Sequence, residues 1–187
     1  MERRRKMTKS LISDSLKSLM QSHPFEKITI KMITDAAGVI RPTFYNYFCD
    51  KYEVLEWIFV DEIVDKVQAL FDQKMYQEGL KMIFVCIKND SRFYKRAFEV
   101  TGQNSFEDIV SKHLYDLFMS VLERSFIRPR TDNQLVTKSL IAHHYSLMLL
   151  NLLRSWVGGE LQNFSTDEMV DAYIFLCTHK ITDYVSL

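Results

Sequence analysis

Residues 29–48 read Thr-Ile-Lys-Met-Ile-Thr-Asp-Ala-Ala-Gly-Val-Ile-Arg-Pro-Thr-Phe-Tyr-Asn-Tyr-Phe. Thr29 has the short side-chain oxygen that caps a helix. Ile30, Ile33, Ala36 and Ala37 follow at helical spacing and are expected to face inward. Gly38 stands where a left-handed residue closes a helix, a conformation that glycine adopts without strain. Pro42 suits the first turn of a second short helix, expected to run to about Phe48. Ala36 and Ala37 are small enough to let the two helices cross closely, with Val39 plugging the angle between them. A short helix, a glycine turn and a second short helix make a helix-turn-helix. On its second helix Phe44 and Phe48 point inward, while Arg41, Thr43, Tyr45 and Tyr47 point away.

Those outward residue types suit DNA. An Arg can fork onto guanine O6 and N7, and a Thr methyl can meet a thymine methyl. Tyr hydroxyls can donate to phosphates. The unpaired N–H groups at the start of the first short helix, together with the Thr29 hydroxyl, form a seat for a phosphate. Lys51, at the start of the next helix, is expected to add a point charge there.

Working outward on the N-terminal side, Pro24 ends a preceding helix whose stripe is Leu11, Ile12, Leu16, Leu19 and Met20, with Thr8 as its expected cap. Arg3-Arg4-Arg5-Lys6 precedes that cap and reads as a basic arm able to reach phosphates or a minor groove. Charge is unevenly spread. The chain is neutral, with 24 basic and 24 acidic residues, yet residues 1–51 hold ten basic and five acidic side chains. The first 51 residues are therefore +5 and the other 136 are −5. Such a split marks a nucleic-acid-binding end.

On the C-terminal side, Asp50 opens a long helix carrying Val54, Leu55, Ile58, Ile63, Val67 and Leu70. Further helices are expected at about 79–89, 91–100, 104–127, 131–157 and 165–186. Only 5 Gly and 3 Pro interrupt 187 residues, against a usual combined share of about 12%, so the elements are long and the fold class is all-α. The stripe of the 131–157 helix runs Val136, Leu140, His143, Leu147, Leu150, Leu153 and Val157. A hydrophobic share of 47% excludes general disorder. Ser139–Leu153, free of Lys, Arg, Asp and Glu, is too short and too polar for a bilayer that needs about 20 apolar residues, so no membrane association is expected. Cys49, Cys86 and Cys177 are odd in number and far apart, which fits a reducing cytoplasm. No signal peptide is read at the N-terminus.

Catalytic signatures are lacking: there is no Gly-rich phosphate loop, no GxSxG and no HExxH, so no enzyme activity and no cofactor are expected. His143 and His144 point about 100° apart on a helix, and Cys177 and His179 nearly opposite, so no metal site is expected either. Trp57, Phe84, Tyr94, Phe98, Tyr115, Phe118 and Trp156 are aromatic at helical spacings. Most belong to a core, and a few are expected to line a ligand pocket between helices. Tyr94, Phe98, Tyr115 and Phe118 are the aromatic candidates for that pocket. Gln103 and Asn104 are its polar ones; Asn104 or Ser105 serves equally well as a helix cap.

Phe25, Ile28, Thr29, Ile33, Ala36-Ala37-Gly38-Val39, Arg41, Thr43-Phe44-Tyr45, Tyr47-Phe48, Lys51 and Leu55 together resemble the DNA-binding domain of the TetR-type (tetracycline-repressor) regulators, over residues 8–55. The resemblance implies an all-helical homodimer. A three-helix head at 1–50 would bind DNA, and a larger helical-bundle body at 51–187 would bind an effector and dimerise. It also implies that Arg41, Thr43, Tyr45, Tyr47 and Lys51 touch DNA. Two positions depart from the pattern. Ile40 replaces the usual Ser, a helix cap and often a DNA contact, and is expected to serve as neither, and Pro42 replaces the usual Gly or Ala. The body, through Asp90-Ser91-Arg92-Phe93-Tyr94-Lys95-Arg96-Ala97-Phe98 and Thr101-Gly102-Gln103-Asn104-Ser105-Phe106, resembles the branch of dihydroxyacetone-kinase regulators. The expected function is a sequence-specific, repressor-like transcription regulator that binds a double-stranded operator. It would dimerise through about 131–157 and 165–186 under control of a small molecule or a partner protein. The alternative is a helical interaction protein, or an activator that depends on a co-regulator and has little DNA affinity of its own.

Overall fold

The computed structural model describes residues 2–102, 104–124 and 133–184, all in helices, turns and loops, with no strand among them. Two compact units emerge, one of residues 1–62 with 90–109, the other of 63–89 with 110–187.

The first unit begins with α1 (Glu2–Met20), which buries Ile12, Leu16 and Met20 at four-residue spacing. The Thr8 cap is corrected: the helix already runs at Glu2, and the Thr8 hydroxyl donates to Arg4 O inside it. Residues 3–6 are accordingly helical rather than a loose arm. Leu11, placed on the apolar stripe by its spacing, is exposed. A 3₁₀ turn (Phe25–Lys27) follows Pro24 and leads to α2 (Ile30–Ala37). Thr29 Oγ1 accepts from Met32 N at 3.2 Å, and Gly38 closes the helix at φ 65°. In α3 (Arg41–Tyr45) Pro42 occupies the first turn, and non-helical turns carry the chain on to Phe48. Asp50 caps α4 (Lys51–Phe59), its carboxylate accepting from Glu53 N at 2.9 Å. A π-helical segment (Val60–Val64) succeeds α4.

The core of this unit is Ile12, Leu16, Phe25, Ile28, Ile33, Phe44, Phe48, Leu55 and Phe59, joined by Phe93, Tyr94 and Ala97 of α7 (Ser91–Phe98) and by Phe106. Ala36 is exposed rather than inward; Thr34, two residues earlier and so on the opposite, buried side, takes the inner position, its hydroxyl satisfied by Lys31 O at 3.0 Å. Lys17 of α1 is paired twice, at 2.6 Å with Glu62 of the π segment and at 2.6 Å with Asp90, the residue before α7.

The second unit holds α5 (Asp65–Asp72), α6 (Tyr76–Asn89), most of α8 (Phe106–Arg124), α9 (Lys138–Gly158) and α10 (Thr166–Thr178), with a final 3₁₀ turn (Ile181–Tyr184). Thr137 caps α9, and Ser165 with Glu168 forms a reciprocal capping box on α10. Residues 125–127, 131–132 and 185–186, assigned to helix ends by sequence, lie outside the described residues. On α9 the buried side is Ala142, Ser146, Leu149, Leu153 and Trp156, whereas Leu140, His143 and Leu147 of the expected stripe are exposed.

The α5–α6 crossing depends on Gly79. A Cβ there would lie 2.5 Å from the buried Phe71 ring. Overpacking of that kind costs about 1–3 kcal/mol, against the ~1 kcal/mol that Ala gains over Gly in a helix. Gly79→Ala is expected to lower the calorimetric melting temperature by about 2–6 °C; an unchanged or higher value would show that Phe71 yields freely.

Candidate nucleic-acid interface

The 29–48 segment folds as local chemistry dictates. Gly38 N–H reaches the Asp35 and Thr34 carbonyls, and Val39 N–H closes on Thr34 O at 3.0 Å, which stops α2 and turns the chain. Ile40 then starts α3 through its backbone: its carbonyl accepts from Thr43 N at 2.9 Å and Phe44 N at 3.3 Å. Phe44 and Phe48 are buried and pack at 5.9 Å, fixing the inner side of α3. Arg41, Pro42, Tyr45 and Asn46 are thereby left exposed, with Thr43 and Tyr47 half-buried.

Arg41 and Tyr45 form one device. Arg41 Nη2 donates to the Tyr45 hydroxyl at 3.1 Å, and the guanidinium lies 5.6 Å from the Tyr45 ring. The pair sits one helical turn apart, and the exposed guanidinium keeps N–H donors beyond the one given to Tyr45. Thr29 is exposed; its oxygen is spent as a cap acceptor, but its hydroxyl proton remains available to a phosphate.

Lys51 is placed differently from a phosphate-seeking side chain. Its ammonium donates to the carbonyls of Phe25, Glu26 and Ile28 at 2.7, 3.1 and 2.9 Å, and lies 4.6 Å from the Phe25 ring. An ammonium has three N–H groups, and here each is engaged. Burial pushes its pKa down, against the upward pull of the Glu26 and Asp50 carboxylates. Two other basic residues counted towards the +5 end also have partners within the chain. Lys9 lies 5.0 Å from the Phe48 ring and 5.7 Å from that of Trp57, and Lys6 pairs with Asp61 at 2.8 Å. Arg3, Arg4, Arg5, Lys6, Lys27, Lys31 and Arg41 are the exposed cations of this end, Lys6 with Asp61 as its partner.

The six effector candidates fall in different places. In the first unit Tyr94 is wholly buried, its hydroxyl donating to Glu62 Oε2 at 3.0 Å, and Phe98 packs edge-on to Phe106 at 5.1 Å. Asn104 is exposed at φ 65°, while Ser105 accepts from Asp108 N at 3.1 Å and caps α8. Gln103 lies outside the described residues. In the second unit Tyr115 bonds Ser139 at 3.0 Å, and Phe118 sits 6.3 Å from Phe71 and 6.1 Å from Tyr145. That unit also has an open apolar hollow of about 310 Å³ lined by Leu152, Leu161, Phe164, Met169 and Ala172, edged by Glu168 and Asp171. None of the six candidates lines it. Among the described residues no group of three His, Cys, Asp or Glu is arranged to hold a metal ion, and no helix is long and apolar enough to cross a membrane.

A capped helix, a glycine turn and a second helix presenting Arg and Tyr outward define a helix-turn-helix transcription regulator. Residues 12–58 match the bacterial regulatory proteins of the tetR family, and residues 74–174, more than half of the chain, match the transcriptional regulator C-terminal region of such proteins. The chain belongs to the TetR family of transcriptional regulators. It is similar to the HTH-type dhaKLM operon transcriptional activator DhaS of Lactococcus lactis subsp. lactis (strain IL1403), with 29% identity over 134 residues, 65% of this chain and 71% of that protein. The structure titled dihydroxyacetone kinase operon activator DhaS aligns with a TM-score of 0.67 at 23% identity, covering 96% of this chain and 98% of that one. A putative TetR-family regulator from Syntrophomonas wolfei str. Goettingen aligns with a TM-score of 0.69 at 20% identity, covering 97% of each chain. These two structural likenesses show the all-α fold. Regulators of this family bind operator DNA, typically as dimers, with small-molecule effectors.

Proposed function

We propose that the chain is a homodimeric, cytoplasmic, non-enzymatic regulator whose head, residues 1–50, places α3 in the major groove. Its body, residues 51–187, binds the controlling molecule and the second protomer. The observation that carries this is the preorganised Arg41–Tyr45 pair exposed on α3. Arg41 reads a guanine and Thr43 a neighbouring base, while Thr29, Tyr45 and Tyr47 hold phosphates. Lys51 acts indirectly: by tying three carbonyls of the 25–28 segment it holds the start of α2, and so Thr29, in place.

The dimer is proposed through α9 and α10, which expose Leu140 and Leu147, and Phe175 and Leu176. Apolar side chains repeated on two helices suit a four-helix contact across a two-fold axis. The controlling small molecule or partner protein binds the body near Tyr115 and Phe118. It shifts the spacing of the heads only through unequal affinity for two states. The name of the Lactococcus relative supports activation over the repression suggested by the family's type member.

Anisotropy of the purified full chain against duplexes selected from a random library tests the proposal. Tight, site-selective binding by a dimer without any added protein supports it. Weak binding indifferent to sequence favours the second reading, in which a co-regulator supplies the DNA affinity. Transcription in vitro from a promoter carrying the selected site decides between activation and repression.

A further inference from the structure

Ile40 is the apolar residue at the mouth of α3. Its side chain is 69% exposed, exceeded among the described large apolar residues only by Leu135 at 75%. A single exposed Ile on a protein surface needs no explanation; its position is what gives this one meaning. It stands at the N-cap of α3, where side chains with a hydrogen-bonding oxygen are favoured because they satisfy the first free N–H groups. Ile40 has no such oxygen, and no side-chain cap bond is made there. Pro42 lowers the cost by removing one of those N–H groups. The side chain therefore does nothing for its own helix.

The N-terminal residues of a recognition helix are those that meet base edges. An apolar group in the major groove has one natural partner, the C5 methyl of thymine. Ile is also stiff at χ1, so little rotamer freedom is lost when it packs. Next to it stands Arg41, held by the Tyr45 hydroxyl at 3.1 Å. Two neighbouring side chains are thus prearranged, one for a guanine edge and one for a methyl.

We propose that Ile40 is a specificity-determining residue that reads a thymine by its methyl group, once in each half-site. This rests on the proposed DNA-binding role of α3. Deoxyuridine differs from thymidine only by that methyl, so it provides the test. The full chain first selects its site from a randomised duplex library. Each thymine of the selected duplex is then replaced in turn by deoxyuridine, and affinity is measured for the wild type and for Ile40→Ser.

Burial of one methyl-sized group corresponds to about a fourfold change in affinity, and two symmetric contacts to about fifteenfold. The expected result is one thymine per half-site at which deoxyuridine weakens the wild type by about fourfold, while Ile40→Ser binds both duplexes alike. Ile40 is exposed and Ser is a good N-cap, so the variant keeps its fold. Uniform tolerance of deoxyuridine by the wild type overturns the proposal. So does a deoxyuridine effect of equal size in Ile40→Ser, which would assign the methyl to another side chain. A chain that enriches no sequence at all overturns the DNA reading of the head, and this inference with it.

Discussion

Arg41→Ala is expected to lower operator affinity about a thousandfold while leaving its salt dependence unchanged. A bidentate Arg–guanine contact is worth about 2 kcal/mol of discrimination. The dimer has two heads, which gives about 4 kcal/mol, about a thousandfold in Kd. The guanidinium is exposed and braced on Tyr45, so its removal leaves no buried group unpaired and the fold intact. Salt reports on phosphates rather than bases. With about four phosphates neutralised per head, the slope of log K against log salt is near −7 for the dimer. Arg41→Ala should keep that slope within about one unit and flatten the preference for guanine at one position per half-site. Tyr45→Phe removes the brace but not the guanidinium, and its effect should be smaller, about 1 kcal/mol per head. Anisotropy titrations at several salt concentrations check all of this. An Arg41→Ala slope shallower by about two, with sequence preference retained, would show that Arg41 holds phosphates and does not read bases.

The head was legible because its signals are local. Thr29, Gly38, Pro42 and Asp50 each act within one turn of their own positions, and each does what its type suggests. What lies beyond a turn was not legible. Lys51 reads as a free cation in sequence, yet its carbonyl partners stand 23 to 26 residues earlier. The same holds for Lys9 above Phe48 and Trp57. Helical spacing from Ile30 and Ile33 turns Ala36 inward, but the packing side of so short a helix is set by Ile33 and Thr34.

The body hides its faces for a different reason. α9 carries leucines on both its buried and its exposed sides, so the stripe drawn through Leu140, Leu147 and Leu153 mixes the two. His143, His144, Asn151 and Arg154 share the exposed side with Leu140 and Leu147, so apolar spacing alone does not mark the packed face. The pocket candidates failed to separate from the core because an aromatic ring at helical spacing looks the same in either role. One irregularity left no trace. The buried Phe59, Ile63 and Val67 keep the four-residue spacing of an ordinary helix, yet a π segment spans Val60–Val64.

That π segment carries Glu62, and the Lys17 network around it yields the second large effect. Lys17→Met is expected to cost about 2–3 kcal/mol. The Lys17 side chain is only 16% exposed and its ammonium lies 2.6 Å from both the Glu62 and the Asp90 carboxylates. Glu62 also accepts from the buried Tyr94 hydroxyl at 3.0 Å, and the ammonium sits 4.9 Å from the Phe93 ring. Removing the cation leaves two carboxylates facing a gap. A fully buried pair broken in this way costs about 3–5 kcal/mol and an exposed one under about 1; the carboxylates here are 34% exposed, between those limits. For a chain of this size the melting temperature should fall by about 5–10 °C. Lys17→Arg should restore most of it. Glu62→Gln with Asp90→Asn in the Lys17→Met background should restore part, because the repulsion goes with the charges. The pH dependence has a definite sign. Burial opposes the Lys17 charge, but the Asp90 and Glu62 carboxylates outweigh it and hold its pKa above the ordinary 10.5. The contribution is therefore complete below pH 10.5 and is lost as pH rises through the folded-state pKa. The gap in melting temperature between wild type and Lys17→Met should be constant across neutral pH and narrow as the pH rises into alkali. A gap that closed near neutrality, or a Lys17→Met melting point within 1–2 °C of wild type on the same scale, would show that the ion network contributes little to holding α1, the π segment and α7 together.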